Sequence, residues 1–344
     1  MPTAKQLDQN ESVIRLSSNE NPLGCSQKAR AALESQLDLV DCYPSRTSDD
    51  FRASLADFYD ISPEKVFTGN GSDEIIGLLV QNTSAEEEII YPHPSFIKYR
   101  LNIKNRGRIG KKVPLTDNYR VDLQAIEAEI NEDTGLIFIC DPNNPTGTIQ
   151  KEKRLRDFLK AVPEKVTVVL DQAYYEYVTS EDYFRGHDEL SDYPNLIILR
   201  TFSKAYGLAG VRAGYALGNP DLIEKLDKIR DTFNLNRFAQ AAAQAALEDQ
   251  EHIKKSREFN RREKDYLCRN LEEMGLTCVP SQANFIFVKT PQKGEKIASE
   301  LEKRDILVKA GAVIGDDHAI RITVSSREKN DKFLEELQDI IGVD

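Results

Sequence analysis

The segment GLIFICDPNNPTGTIQKEKRLRDFLKAVPEKVTVVLD, residues 135–171, contains two short apolar runs separated by a turn and an amphipathic stretch. The runs GLIFIC and VTVVL are short, contain β-branched residues and are apolar on both faces, as in buried parallel strands. KEKRLRDFLKAV, between them, has the apolar spacing of a helix. The segment therefore predicts a βαβ unit of an α/β sheet with helices on both faces.

The same alternation continues on both sides of this unit. Further short apolar runs are KVFTG (65–69), EEIIY (87–91) and NLIILR (195–200), and DDFRASLADFY (49–59) has helical spacing. SQKARAALESQL also has helical spacing and begins at a possible cap, Ser26. We expect a large domain at residues 41–245, built on a mainly parallel sheet flanked by helices.

The pattern changes after residue 245. Residues 248–275 read as one long, charged helix that stops at Gly275, and strands are expected in ANFIFVKT, DILVKAG and AIRITVS. The last helix carries a capping-box pattern, Ser325 with Glu328. These features predict a smaller α/β domain at 246–344, and residues 1–40 are expected to form an arm, irregular over its first 25 residues, and a helix that packs with this domain.

Composition excludes several classes of protein. The 344 residues carry 46 Lys and Arg against 57 Asp and Glu, a net charge of −11, and without a basic stripe a nucleic-acid partner is not expected. No apolar run reaches the ~20 residues of a membrane helix, and the first residues do not resemble a signal peptide. Five cysteines without a CxxC pair and four scattered histidines predict reduced thiols, a cytoplasmic protein and no metal site.

Ligands of open α/β sheets bind beyond the carboxyl ends of the strands, so the residues that follow each run are candidates for a site. KVF is followed by TGNGSDEIIGLL, a glycine loop that opens a helix. Backbone N–H groups of Gly71, Ser72 and Asp73 at that helix start would attract an anion, although a tight turn with a capping residue would look the same. The loop matches neither GxGxxG nor a P-loop.

Polar residues follow three more runs. Asn144 lies in DPNNPTG, Asp171 and Tyr174 follow VTVVL, and TFSKAYGLAGVRAGY (201–215) places Lys204 and Arg212 among small residues. Taken singly, these residues are a polar turn, a cap and a solvated lysine. Together they suit pyridoxal 5′-phosphate, whose phosphate, phenolic oxygen, ring nitrogen and aldehyde need such partners.

From LSSNENPLG (16–24) to AIRITVS (319–325), the chain resembles the fold-type I pyridoxal-phosphate aminotransferases, and among them most closely the histidinol-phosphate aminotransferases. The resemblance implies a mainly parallel seven-stranded sheet and a homodimer whose active sites lie at the subunit interface. It implies transamination in histidine biosynthesis, in which L-histidinol phosphate and 2-oxoglutarate give imidazole-acetol phosphate and glutamate.

The resemblance also implies roles for individual residues. Lys204 would hold the cofactor as a Schiff base and then carry a proton, while Asp171 would keep the ring nitrogen protonated. Asn144 and Tyr174 would bond the phenolic oxygen, and Phe96, in PHPSFIKY, would stack on the ring. The phosphate would be held by Gly71, Ser72, Asp73, Thr201, Ser203 and Arg212. A desolvated lysine near positive charge has a lowered pKa, which favours the neutral amine that this chemistry needs.

Four further residues have expected roles toward the substrates or a second subunit. Tyr43, in CYPS, would reach the cofactor phosphate of the neighbouring subunit, while Arg321, Lys309 and Asn19 would bind substrate. Many relatives have arginine at the position of Lys309, a glycine-threonine pair where this chain has Ser325 and Ser326, and tyrosine at the position of Phe96. An aromatic or other amino-acid aminotransferase, a decarboxylase on the same scaffold and a non-catalytic cofactor-binding module therefore stay open.

Overall fold

The computed structural model describes residues 13–311 and 313–342. Its α-helices are α1 (Gln27–Glu34), α2 (Asp49–Tyr59), α3 (Gly71–Asn82), α4 (Ile97–Asn105), α5 (Leu123–Ala128), α6 (Glu152–Ala161), α7 (Pro220–Ile229), α8 (Arg237–Leu247), α9 (Gln250–Glu273), α10 (Gly294–Glu302) and α11 (Arg327–Ile341). Its strands are β1 (Ile14–Arg15), β2 (Val66–Asn70), β3 (Glu88–His93), β4 (Ile109–Pro114), β5 (Thr134–Cys140), β6 (Thr167–Asp171), β7 (Leu196–Thr201), β8 (Ala213–Gly218), β9 (Thr277–Val279), β10 (Phe285–Lys289), β11 (Ile306–Leu307), β12 (Lys309–Gly311) and β13 (Asp316–Thr323).

The large sheet has the strand order β2-β8-β7-β6-β5-β3-β4. Strands β4, β3, β5, β6 and β7 run parallel, while β8 pairs antiparallel with both β7 and β2. The predicted α/β fold with a mainly parallel seven-stranded sheet is confirmed. Because β5, β6 and β7 are parallel neighbours, the polar residues that follow them emerge at one edge of the sheet.

Both faces of this sheet are covered, as the apolar runs predict. In β5, Ile137 and Ile139 belong to the apolar core on one face, while Leu136 and Phe138 belong to the core on the other. Successive side chains of a strand point to opposite faces, so a strand buried on both sides has no polar position in its interior. The helices on the two faces thus fix β5 at the centre of the domain.

The small sheet, β12-β13-β10-β9, is antiparallel throughout. It packs with α9, α10 and α11 around Leu267, Ile322 and Phe333. The arm forms a strand as well, because Ile14 of β1 pairs with Ile306 of β11 in a separate, parallel two-stranded sheet. The expected irregular arm is therefore wrong for Ile14–Arg15, while residues 1–12 lie outside the described residues.

Helix α1 lies elsewhere than expected. Ser26 caps it, as predicted, by accepting a hydrogen bond from the Ala29 N–H at 3.1 Å. We expected the helix to pack with the small domain, but Ala29 is buried in the core of the large sheet and α1 packs against α8. Its alanine side has the small residues that allow a close helix pair. The domain boundaries near residues 40 and 245 stay a prediction.

The predicted capping box of the last helix is wrong. Ser326, not Ser325, precedes α11, and its side chain makes no capping hydrogen bond. Asn330 makes the side-chain hydrogen bonds to this segment instead. Its amide oxygen accepts from the Ser325 N–H at 3.1 Å, and its amide nitrogen donates to the Ser325 carbonyl at 2.9 Å. An asparagine inside the helix therefore accepts from the Ser325 N–H, the backbone group that the capping-box pattern assigns to Glu328. None of the described helices has both the length and the apolar character needed to cross a membrane.

Candidate active site

A cavity of about 430 Å³ opens at the carboxyl ends of β5, β6 and β7. The arm, the large sheet and the small sheet all contribute to its wall. It brings together most of the predicted site residues, namely Asn19, Ser72, Asp73, Phe96, Asn144, Asp171, Tyr174, Thr201, Ser203, Lys204, Arg212, Lys309 and Arg321. Gly71 lies directly beside the wall, and Tyr43 lies away from it.

Lys204 follows β7 and is half-buried in the cavity wall. Its Nζ donates a hydrogen bond to the Ser18 carbonyl of the arm at 3.0 Å and lies 5.9 Å from the centre of the Tyr174 ring. Burial lowers the pKa of Lys204 to about 8, and the positive charges of Arg321 and Arg212 add to the effect. The site therefore holds an amine that loses its proton close to neutral pH.

Asp171, the last residue of β6, is buried and faces the same cavity. One carboxylate oxygen accepts from the Tyr99 hydroxyl at 2.7 Å, and the other accepts from the Ala173 N–H at 3.2 Å. Burial raises the pKa of Asp171 to about 6, while these two hydrogen bonds and the charge of Lys204 oppose the rise. Asp171 thus remains a carboxylate at neutral pH although water does not reach it.

Tyr174 lies at the centre of a hydrogen-bond network that joins three parts of the chain. Its hydroxyl accepts from the amide of Asn19 at 3.0 Å and from the amide of Asn144 at 3.1 Å. The Asn144 oxygen in turn accepts from Arg321 at 2.7 Å. Burial raises the pKa of Tyr174, so the hydroxyl keeps its proton and can donate into the cavity.

The start of α3 forms a cradle for an anion. Gly71 has φ +73°, which is strained for a residue with a side chain, and a Cβ at this position would lie 2.5 Å from a terminal nitrogen of Arg212 and displace the guanidinium. Asn70 precedes the helix and does not cap it with its side chain, which leaves the first N–H groups for another acceptor. Arg212 lies 3.7 Å from Asp73 in the first turn of the helix.

The loop after β7 completes this cradle. The Arg212 guanidinium donates to the Ser203 hydroxyl at 3.4 Å and to the Ala209 carbonyl at 3.2 Å. Thr201 accepts from the Ser203 N–H at 3.1 Å and donates to the Ala213 carbonyl at 3.3 Å. These contacts fix two hydroxyl groups and one guanidinium beside the helix start, where an anion would meet all of them.

The opposite part of the cavity is cationic and contributed by the small sheet. Arg321 is buried on β13, and within the described residues its Nε has no hydrogen-bond partner. Lys309, on the neighbouring β12, pairs in register with Arg321, and burial together with the Arg321 charge lowers the Lys309 pKa. A buried guanidinium with an unused donor beside a lysine is suited to a second anionic group.

Phe96 and Tyr43 remain to be placed relative to the cavity. Phe96 precedes α4 and lines the cavity, with its ring edge-on to Tyr99 at 5.8 Å between ring centres. Tyr43 is 80% exposed and stacks on Phe233, with 4.7 Å between ring centres. A single chain therefore does not bring Tyr43 to the cavity, and its role across a subunit interface stays a prediction.

Sequence reasoning missed several contributors to the site. Tyr99 is the partner of Asp171, the arm carbonyl of Ser18 holds Lys204, and Lys98 pairs with Asp73 at 3.4 Å. Tyr99 follows Phe96 by three residues at a helix start, a spacing that puts both side chains on one face. That spacing is the signal that could have identified Tyr99, whereas no pattern distinguishes Ser18.

The fold and the site together define a class of protein. Residues 11–337 match the family model of the class I and II aminotransferases, and the chain belongs to this family.

Within it, the chain is 43% identical to a histidinol-phosphate aminotransferase of Brevibacillus brevis over 331 residues, 96% of this chain and 90% of the relative. It is 42% identical to a histidinol-phosphate aminotransferase of Moorella thermoacetica over 332 residues, 96% of this chain and 86% of the relative. The crystal structure of histidinol-phosphate aminotransferase from Sinorhizobium meliloti in complex with pyridoxal-5′-phosphate superposes with a TM-score of 0.92 at 27% identity, covering 99% of this chain and 95% of that one.

Proposed function

We propose that this chain is a pyridoxal-phosphate-dependent aminotransferase that transfers the amino group of L-histidinol phosphate to 2-oxoglutarate, giving imidazole-acetol phosphate and glutamate in histidine biosynthesis. One observation carries the proposal: Lys204, Asp171 and Arg212 line the same cavity, with an uncapped helix start beside them. The names of the relatives that are 43% and 42% identical over nearly the whole chain support the choice of substrate.

The residues of the cavity fit the cofactor. Gly71 leaves room for the Arg212 guanidinium beside the helix start, and Arg212 supplies the positive charge that a phosphate needs there. The backbone and side chains of Gly71, Ser72 and Asp73, together with Thr201, Ser203 and Arg212, would hold the phosphate. Phe96 would stack on the ring, Asp171 would pair with its nitrogen, and Asn144 and Tyr174 would bond its phenolic oxygen.

Lys204 is the residue that performs the proton transfer. When bound, pyridoxal phosphate supplies an electrophilic aldehyde and a ring that withdraws electrons. The Lys204 amine would hold the cofactor, and its Nζ would be the group that accepts and moves the proton of the donor's Cα. A pKa of about 8 suits this task, because a useful fraction of the amine is neutral near pH 8.

Asp171 and Tyr174 would bind two different groups of the cofactor. The Asp171 carboxylate, held by Tyr99 and Ala173, would keep a proton on the ring nitrogen. The Tyr174 hydroxyl and the Asn144 amide, which bond each other, would hold the phenolic oxygen. Both groups are oriented before a ligand arrives, which reduces the reorganisation that the reaction needs.

Arg321 and Lys309 are the proposed substrate-binding cations. The donor carries a phosphate and the acceptor carries carboxylates, so each half-reaction brings an anion to the small-sheet side of the cavity. Arg321 and Lys309 both line the cavity, where Arg321 supplies a guanidinium with one unpaired buried donor and Lys309 adds a point charge. Asn19, which bonds Tyr174 and accepts from the Thr323 hydroxyl at 3.2 Å, closes the arm over the substrate.

The proposal includes a homodimer with Tyr43 of one copy at the phosphate site of the other. Leu37, Val40 and Tyr43 form an apolar surface in which these side chains are 61%, 73% and 80% exposed. Such a surface is typical of a subunit interface. We also propose a cytoplasmic location, which the free state of all five cysteines supports.

A donor screen tests the function. With 2-oxoglutarate as acceptor, we expect kcat/KM for histidinol phosphate to exceed that for histidinol and for phenylalanine by roughly a hundredfold, because the phosphate gains two charged partners. Borohydride reduction followed by peptide mass spectrometry should find the cofactor on Lys204, and Lys204→Ala should abolish this adduct. A preference for phenylalanine would instead identify an aromatic aminotransferase, and carbon dioxide release without 2-oxoglutarate a decarboxylase.

A further inference from the structure

Tyr99 is a buried residue that contacts two of the proposed cofactor-binding side chains. Its ring is fully buried and stacks on Phe138 of β5, with 4.5 Å between ring centres and 10° between planes. Its hydroxyl donates to Asp171 at 2.7 Å, and its ring meets the edge of Phe96 at 5.8 Å. Phe96, directly before helix α4, thus lies at the cavity, and Tyr99, in the first turn of the helix, lies behind it.

We infer that Tyr99 is a positioning residue, which orients the Asp171 carboxylate toward the cofactor ring and keeps it ionised. The inference rests on the proposed function, because it assigns a partner to the acid that serves the ring nitrogen. The geometry carries it: Asp171 has two oxygens, and its hydrogen bonds in the described structure come from Tyr99 and from the Ala173 backbone. Only the Tyr99 bond can be removed by a side-chain change.

Electrostatics gives the hydroxyl its effect. Burial raises the pKa of Asp171 to about 6, and the hydrogen bond from Tyr99 is foremost among the effects that lower it. Burial also raises the pKa of Tyr99 itself well above its ordinary range, so the hydroxyl keeps its proton near neutral pH. A protonated donor 2.7 Å from a buried carboxylate favours the charged carboxylate.

Tyr99 also links the acid to the ring-stacking residue. The i, i+3 spacing places Phe96 and Tyr99 on one side of the helix start, and Phe138 holds the Tyr99 ring from behind. Tyr99→Phe keeps both ring contacts and removes only the hydroxyl. The variant therefore separates the hydrogen bond to Asp171 from the packing that supports Phe96.

The test compares the pH dependence of cofactor affinity in Tyr99→Phe and wild-type apoprotein. Asp171 must be charged to pair with the ring nitrogen, so affinity falls as pH drops through the Asp171 pKa. We expect this fall to occur about one pH unit higher in Tyr99→Phe, because the lost hydrogen bond favours protonation. The ionisations of pyridoxal phosphate itself are common to both curves and cancel in the comparison.

Two further readouts distinguish positioning from simple packing. At pH 7, kcat of Tyr99→Phe should fall about tenfold while KM for the donor changes less than about twofold. In apoprotein without cofactor, the loss of thermal stability in the variant should be larger at pH 8 than at pH 5. The sign follows because a buried acid with a raised pKa loses stability as the pH rises from its unfolded-state pKa to its folded-state pKa. The variant raises the folded-state pKa and so extends this loss to higher pH, which adds little at pH 5 and its full amount at pH 8.

Tyr91→Phe is the matched control, since Tyr91 lies buried in the same apolar core and the hydrogen bonds of Asp171 go elsewhere. In an Asp171→Asn background, Tyr99→Phe should have no pH-dependent effect. Equal pH midpoints for Tyr99→Phe and wild type, or a stability loss that is the same at both pH values, would overturn the inference. Wild-type protein that binds no pyridoxal phosphate would instead refute the proposed function.

Discussion

At the scale of single residues, burial acts in opposite directions on the two ionisable groups that matter most. The pKa of Lys204 falls to about 8 and that of Asp171 rises to about 6, because a desolvated site disfavours the charged form of both. Near pH 8 the aspartate is charged and about half of the lysine is neutral. That combination is the one in which the lysine can act as a base while the acid still carries its charge.

The Lys204 pKa leads to a prediction that needs no cofactor. In apoprotein treated briefly with acetic anhydride, the acetylation rate of Lys204 should rise with pH and reach half of its plateau near pH 8, because only the neutral amine reacts. Peptide mass spectrometry measures the rate, with the 87% exposed side chain of Lys153 as internal reference. Arg321→Met should move the midpoint upward, since the Arg321 charge contributes to lowering the pKa.

A Lys204 rate that still climbs steeply above pH 10, in the range of an ordinary lysine, would contradict this account of the site. An unchanged midpoint in Arg321→Met would assign the low pKa to burial and Arg212 without a contribution from Arg321. The two results are separable, because the first concerns the wild-type protein and the second only the variant.

Residues that follow a strand directly are those that the sequence identifies. Asp171 and Lys204 lie just past apolar runs, so their place at the sheet edge follows from chain order alone. Tyr99 reaches Asp171 across 72 residues of sequence, and its contact depends on how α4 sits on the sheet. The Asn19 contact with Tyr174 depends in the same way on where the arm crosses. Pattern and propensity do not specify such packing.

At the scale of secondary-structure elements, two strands that the apolar pattern does not predict, β4 and β8, each have a particular structural role. β4 lies at the sheet edge and carries Lys111 and Lys112, which is a common protection of an exposed edge. β8 contains Gly214, where a Cβ would lie 2.5 Å from the Ser72 nitrogen at the start of α3. The glycine that weakens the strand pattern is thus what allows the phosphate cradle to approach the sheet.

The prediction at this scale concerns Gly147, in the loop that carries Asn144. Gly147 has φ +75°, its carbonyl accepts from the Gln282 N–H at 2.8 Å, and an added Cβ would collide with the Ser281 side chain and lie 3.1 Å from its Cα. We expect Gly147→Ala to lower the free energy of unfolding by about 2–4 kcal/mol, from backbone strain plus steric overlap. Urea titration followed by circular dichroism measures the loss.

Gly107→Ala is the control for the strain term, because Gly107 has φ +62° and an added Cβ there would meet nothing within 4 Å. That variant should lose only about 1 kcal/mol. The Gly147→Ala protein should also bind pyridoxal phosphate more weakly, since the same loop presents Asn144 to Tyr174. Equal losses in the two variants would show that the contact with Ser281 is relieved by a small shift of the loop.

At the scale of the whole molecule, the site exists only where separate parts of the chain meet. Asn19 bonds Tyr174 of the large sheet, while its backbone N–H donates to the Thr323 hydroxyl of the small sheet at 2.9 Å. Arg321 spans the same junction through Asn144. The shape of the cavity therefore depends on how the arm and the two sheets are placed relative to one another. One proposed contributor, Tyr43, lies outside it, and its approach to the cavity of a second copy stays a prediction.

Heterodimers of differently tagged chains test whether Tyr43 acts across the interface. Tyr43→Phe keeps the ring that stacks on Phe233, so it removes the hydroxyl without removing the packing. If Tyr43 serves the neighbouring site, a Tyr43→Phe chain paired with a Lys204→Ala chain contains one intact site and should show about half of the wild-type rate at limiting pyridoxal phosphate. The other pairing, of a chain with both changes and a wild-type chain, then contains no intact site. If Tyr43 served its own chain, the two pairings would exchange rates, because the wild-type chain would keep a complete site, and the shared-site proposal would fail.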